Sequence, residues 1–143
     1  MRRAEIVAAA REWLGTPYHH QASLRGVGCD CLGLVRGLWR NFYGPEPEPP
    51  PPYSPNWAES LGQETLAMAA LRHLAPVAPA ERRPGDVLLF RWRDHLPAKH
   101  CAVLSAPDRI IHAHDGAAVA EVAFTGWWRR HLSHAFSFPG ATD

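Results

Sequence analysis

Gly28-Cys29-Asp30-Cys31-Leu32-Gly33-Leu34-Val35 is the stretch at which a polar loop gives way to a helix. Asp30 makes a good N-cap, because its carboxylate can accept from backbone N–H groups that a first helical turn leaves without partners. From Cys31 onward Leu34, Val35, Leu38 and Phe42 recur at the spacing of one helix face. Gly44 and Pro45 end that helix. Cys31 therefore falls on the first turn, where free N–H groups and the helix dipole favour an anion. A thiolate is such an anion, so this position makes a sulfur nucleophilic, and the same N–H groups can hold the oxyanion formed on attack at a carbonyl. Gly33 leaves room for a substrate or a neighbouring backbone to approach. Position alone does not separate this reading from an ordinary core cysteine, since free cysteine is commonly buried. A base decides between them. Cys29 precedes the cap and reads as a loop or core thiol.

Upstream, Glu5 interrupts the apolar run of residues 4–10 and Arg11-Glu12 end it, which argues against a signal peptide. Ile6, Ala9, Ala10, Trp13 and Leu14 fall instead at helical spacing and predict an amphipathic first helix. No segment approaches the length of a membrane span, so the expectation is synthesis in the cytoplasm, with some other agent carrying the chain outward. A polar loop from Gly15-Thr16-Pro17-Tyr18 reaches Gly26-Val27-Gly28. Downstream, the proline-rich residues 45–55 predict extended polyproline backbone, a stiff connection rather than a ligand for an aromatic groove. A third helix is expected from Ser54-Pro55 through Trp57, Leu61 and Met68 towards His73.

Beyond Pro84-Gly85 the period changes. Asp86–Trp92, His100–Leu104 and Arg109–His114 read as strands, with a turn at Ala106-Pro107-Asp108. Residues 118–122 and 135–138 complete the β part, with a short Trp127-Trp128-Arg129-Arg130 segment between them. Helices first and antiparallel strands afterwards read as an α+β fold, with residues 1–143 as one domain.

Composition excludes several functions. A net charge of +1 creates no field for nucleic acid or an anionic membrane. The cluster Trp127-Trp128-Arg129-Arg130-His131 could stack on bases, but near-neutral charge favours tryptophans in the core and arginines in solvent. Three cysteines form no disulfide framework. Cys29 and Cys31, one residue apart, are poorly spaced for one tetrahedral zinc ion, so no metal or cofactor is expected.

Among nine histidines His100 stands out, because it opens a short apolar strand. It shares a face with Ala102 and Leu104, whereas Cys101 and Val103 share the other. Ile110, His112 and His114 share a face of the next strand. An odd number of intervening loop residues would bring His112 and His114 opposite or diagonal to His100, supplying the orienting third group that a Cys–His pair needs.

Asp30-Cys31-x-Gly33-Leu34-Val35, the run Pro84–Phe90, His100 opening a strand, and Ile111-His112-Ala113 twelve residues later together resemble the NlpC-type papain-like cysteine peptidases. The likeness is to the phage and gene-transfer-agent cell-wall peptidase variety, which travels with a tail. Gly15-Thr16-Pro17-Tyr18, Trp57, Lys99 and Trp128-Arg129-Arg130 match as well. The resemblance implies a papain-like fold, a helical N-terminal half packed on an antiparallel sheet. It implies Cys31 as nucleophile, His100 as general base and acid, His112 rather than His114 as orienting residue, and Tyr18 as a hydroxyl assisting the oxyanion. It implies peptidoglycan stem peptides as substrate, usually cut between γ-D-glutamate and diaminopimelate, and action in the periplasm beside tail or baseplate proteins. Arg25 and Lys99 could meet the substrate's carboxylates. Leu32 stands where serine is common in the family, a change expected to touch substrate contacts rather than chemistry. The rival readings are a structural tail-tip protein with a vestigial site, and an amidase or acyltransferase using the same pair.

Overall fold

The computed structural model describes residues 1–49 and 64–143. Helix α1 (Arg3–Arg11) buries Ile6, Val7 and Ala10 along one face. Trp13, just past its end, packs inward, but Leu14 does not: the helix has stopped and the following turn leaves Leu14 exposed. The polar loop contains a hairpin that was too short to show an alternating pattern, β1 (Ser23–Leu24) with β2 (Gly28–Cys29).

Helix α2 (Cys31–Tyr43) begins and ends where its caps dictate. The Asp30 carboxylate accepts from Gly33 N at 2.8 Å, and Gly44 closes the helix with φ 88°. Two of its glycines are demanded by close neighbours. A Cβ on Gly33 would lie 1.9 Å from the Ala22 carbonyl oxygen, and one on Gly37 would lie 2.1 Å from the Trp13 ring. The space cleared at Gly33 is thus filled by backbone. Residues 44, 45, 47 and 48 lie in bends rather than in extended backbone. The physical reason is ionic: Glu46 is held by Arg36 at 2.6 Å and Arg40 at 3.0 Å, while Glu48 is held by Arg72 at 2.7 Å. The remaining prolines, Trp57, Leu61 and the start expected near Ser54-Pro55 lie outside the described residues. Helix α3 (Thr65–His73) starts after a non-helical Glu64 (φ −77°, ψ 54°).

The strands form one six-stranded antiparallel sheet in the order β3-β8-β4-β5-β6-β7. These are β3 (Ala75–Val77), β4 (Val87–Phe90), β5 (His100–Ala106), β6 (Arg109–His112), β7 (Ala120–Ala123) and β8 (Leu132–Ser137). Strand β3 escaped the sequence reading because it is short and carries Pro76, which only an edge position tolerates. One face of the sheet packs Val87, Leu89, Cys101, Val103 and Ile111 against Ile6, Leu34 and Leu38 of the helices. The other packs Leu88, Phe90, Ala102, Leu104 and Ile110 with Phe124, Trp92 and Trp128. Helix α4 (Gly126–His131) carries the aromatic–basic cluster. Trp128 is half-buried there, but Trp127 is 43% exposed, so only one of the pair serves the core.

Candidate active site

Cys31 occupies the first position of α2, partly buried against the helix-side core. Asp30 takes Gly33 N on one carboxylate oxygen and Gln21 N on the other, at 2.7 Å. The N–H groups of Cys31 and Leu32, at the first two helical positions, are those that helix geometry leaves without an intrahelical acceptor. Neighbouring Cys101 and then His100 hold the Cys31 thiol well below the ordinary thiol range, against burial and the nearby Asp30 carboxylate. Cys29 is the opposite case. It is fully buried, its thiol donates to the Asp30 carbonyl at 3.0 Å, and burial with the charge of Asp30 pushes it up to about 12.

His100 pairs with Phe90 across β4–β5 and is almost completely buried. Its Nε2 lies 2.8 Å from Nδ1 of His112, with the two rings 70° apart, so Nδ1 of His100 is not engaged by His112. The β5–β6 register, Val103 with Ile111, carried toward the strand ends, makes His112 the diagonal neighbour of His100. Burial, the charge of His100 and then that of His114 push His112 down to about 3. It therefore stays neutral, and its Nδ1 lone pair stays available to accept from Nε2–H of His100. His114 lies beyond the end of β6 and is exposed, its ring 5.4 Å from that of His100 without a hydrogen bond between them. Two tryptophans that the sequence reading did not assign to the site flank His100: Trp92 stacks on it at 5.7 Å and 23°, and Trp128 tilts against it at 5.5 Å.

Tyr18 is half-buried where its backbone bridges Cys29, and burial followed by the charges of Asp30 and Cys31 pushes its phenol up to about 12. It remains a hydroxyl able to donate. Arg25 is engaged by Glu12 at 2.5 Å, and Lys99 lies over the Trp92 ring at 5.4 Å. Among the described residues, no three His, Cys, Asp or Glu side chains are placed to hold one metal ion.

No family model and no curated protein matches the sequence. Solved structures do. The NlpC/p60 domain of the peptidoglycan hydrolase SagA superposes with a TM-score of 0.65 at 21% identity, over 96% of this chain and 100% of that one. An NlpC/p60 family protein from Bacillus cereus ATCC 10987 gives 0.68 at 17% identity, over 94% of this chain and 39% of that one. The fold is that of NlpC/p60 domains. This chain thus spans well under half of the Bacillus protein. RipD from Mycobacterium tuberculosis, described as a non-catalytic NlpC/p60 domain protein adapted to peptidoglycan binding, shares the fold with a TM-score of 0.56 at 15% identity, over 97% of this chain and 98% of that one. The NlpC/p60 fold accounts for the layout seen here, a helix start facing the beginning of a central strand. Chemistry has to be argued from the side chains.

The lowered His112 has a consequence for stability. The unfolded chain takes up a proton on this ring below about pH 6.5, whereas the folded chain does so only near 3. Stability is therefore complete above the unfolded value and falls as pH drops through that window. His114 and His134, both lowered chiefly by burial, act in the same direction. Thermal melts near neutrality and near pH 4.5 are expected to show a smaller acid-induced drop for His112→Asn than for the unchanged protein. An equal drop in both would mean that His112 is not held neutral.

Proposed function

We propose that this chain is a cysteine endopeptidase acting on peptidoglycan stem peptides, with Cys31 as nucleophile, His100 as general base and acid, and His112 as the positioning residue. The observation that carries it is the series Cys31–His100–His112: a sulfur at a helix start whose thiol is held low with His100 among the causes, and an imidazole whose Nε2 lies 2.8 Å from a neutral histidine. The Cys31 thiolate attacks the amide carbonyl. The developing oxyanion meets the N–H groups of Cys31 and Leu32 and the Tyr18 hydroxyl. Protonated His100 gives its Nδ1 proton to the departing amine, leaving a thioester. The same nitrogen then takes a proton from water, whose oxygen attacks the thioester and restores the thiolate. His112 holds the ring through Nε2 in both half-reactions.

Likeness to peptidoglycan hydrolases such as SagA supports the substrate class. The bond assigned is that between γ-D-glutamate and diaminopimelate, and the setting assigned is a phage-like tail acting in the periplasm. Both rest on the sequence resemblance. No helix among the described residues is long and apolar enough to cross a membrane. RipD favours a second reading, a domain that binds cell wall without cutting it. Against that reading counts the retention of Cys31, His100 and His112, the last two paired at 2.8 Å. Digestion of purified peptidoglycan, with fragments identified by mass spectrometry, tests the proposal. New diaminopimelate N-termini are expected. Intact stem peptides released from the glycan would indicate an amidase, and binding without any new fragment would indicate the non-catalytic role.

A further inference from the structure

We infer that His114 is a substrate-binding residue, its imidazole donating a hydrogen bond to the carboxyl group that the leaving residue carries beside the scissile amine. The inference rests on the peptidase reading and gives that site a contact on its leaving side. Strand β6 ends at His112, so His114 stands in the loop beyond it. That loop is tied at both ends. Ala113 and Val119 are buried, Ala117 N donates to the His114 carbonyl at 2.9 Å, and Val119 N donates to the Thr16 carbonyl at 2.9 Å. The ring is held as well. It stacks on His112 at 5.6 Å and 21°, and it meets His100, Trp128 and Trp92 edge to face at 5.4, 5.6 and 6.1 Å. Among the described residues neither of its nitrogens has a hydrogen-bond partner.

The bland alternative is a solvated surface histidine whose ring merely packs against its neighbours. Packing accounts for the orientation of the ring and leaves its nitrogens to solvent. A polar group fixed in advance and served only by water is what a substrate contact requires, since little freedom is lost on binding. Partial burial and then the charge of His100 lower the proton affinity of the ring, with Asp115 and Cys31 acting in the opposite sense. The neutral ring carries one N–H donor and one acceptor. Which substrate atom it meets follows from its neighbour. His100 has to reach the departing amine to protonate it, so a group packed against His100 borders the leaving residue. The head of α2 and Tyr18 serve the acyl oxygen instead. In an amide between two amino acids, the carbon that bears the leaving amine also bears a carboxyl group, free or continued as the next peptide bond. An oxygen of that group lies one carbon away from the amine, just as His114 lies one ring away from the base. Where the carboxylate is free, the bond is charge-assisted.

The test compares two soluble peptides, one containing γ-D-glutamyl-diaminopimelate and one whose leaving residue lacks the carboxyl group beside the scissile amine. Each is cut by the unchanged protein, by His114→Phe and by His114→Ala. Phenylalanine keeps a ring for the neighbours and removes both nitrogens; alanine covers the case in which phenylalanine fails to fold. The unchanged protein is expected to prefer the first peptide by roughly tenfold in kcat/KM, and both variants are expected to cut the two peptides equally, within about twofold. On the first peptide the variants should lose through KM, with kcat nearly retained. The proposal is overturned if the phenylalanine variant keeps the original preference, since the ring alone would then suffice. It is equally overturned if a variant loses the same factor on both peptides, because the lost contact is then not to that carboxyl group. Failure of the unchanged protein to cut either peptide would instead overturn the peptidase reading, and this proposal with it.

Discussion

Protein carrying Cys31→Ala is expected to release no stem-peptide fragment above background, with kcat/KM on a soluble muropeptide down by roughly 1,000-fold or more. The size of the loss follows from what the site retains. The N–H groups at the head of α2 and the Tyr18 hydroxyl remain, and so does the His100–His112 pair at 2.8 Å. Those groups can still stabilise an oxyanion, but there is no covalent route to one. His100→Ala is expected to cost nearly as much. It removes the proposed proton donor for the leaving amine and one of the neighbours that lower the Cys31 thiol. The two variants differ in a second measurement. Alkylation of Cys31 near neutrality disappears in the first because the sulfur is gone, and merely moves to higher pH in the second. The double variant should be no worse than either single one, because the residues act as a unit. A Cys31→Ala protein that still cuts would sink the mechanism. A thiol probe that marks Cys29 in preference to Cys31 would be equally damaging, since Cys29 is buried and pushed up to about 12.

The local signals of this chain are strong where the backbone has one physical choice. Asp30 before an apolar face at helical spacing leaves only one place for α2 to begin, and Gly44 leaves one place for it to end. The strands around Val87, His100 and Arg109 announce themselves as apolar runs between turns. Parity then limits which histidines can meet His100, but it could not choose between His112 and His114. The choice lies in where β6 stops, at His112, which leaves His114 in solvent. Contacts that depend on docking two elements were not legible. Trp92 becomes a wall of the site only because the chain after β4 folds back to stack it on His100. Arg25, read as a free cation for substrate, has Glu12 as its partner across a turn. Each depends on long-range geometry to which propensity and period are blind.

Asp86→Ala is expected to destabilise the fold by about 3–5 kcal/mol, because it strips the partner from a buried charge. Asp86 is fully buried at the start of β4, where one carboxylate oxygen accepts from the Arg3 guanidinium at 2.5 Å and the other from Arg83 N at 2.8 Å. Arg3 is itself 7% exposed, and its Nε is buried without a hydrogen-bonding acceptor. With the carboxylate gone, the guanidinium would keep the Pro84 carbonyl at 3.2 Å and a looser ion pair with the exposed Asp143 at 3.6 Å. The pair also explains the Pro84-Gly85 turn. Gly85 has φ 93°, and a Cβ there would press on Arg3 at 3.2 Å. The arginine therefore ties α1 to the head of the strand that pairs with His100. For a chain of this size the loss corresponds to a fall of about 10 °C or more in Tm, measurable by circular dichroism. Below its melting transition the variant should cleave at nearly the original kcat, because none of these groups touches Cys31, His100 or His112. The paired replacement Arg3→Met with Asp86→Leu, which removes both charges together, should recover most of the stability. A single variant that melts within a degree or two of the original would mean that the ion pair is solvated and that α1 is anchored by its apolar face alone.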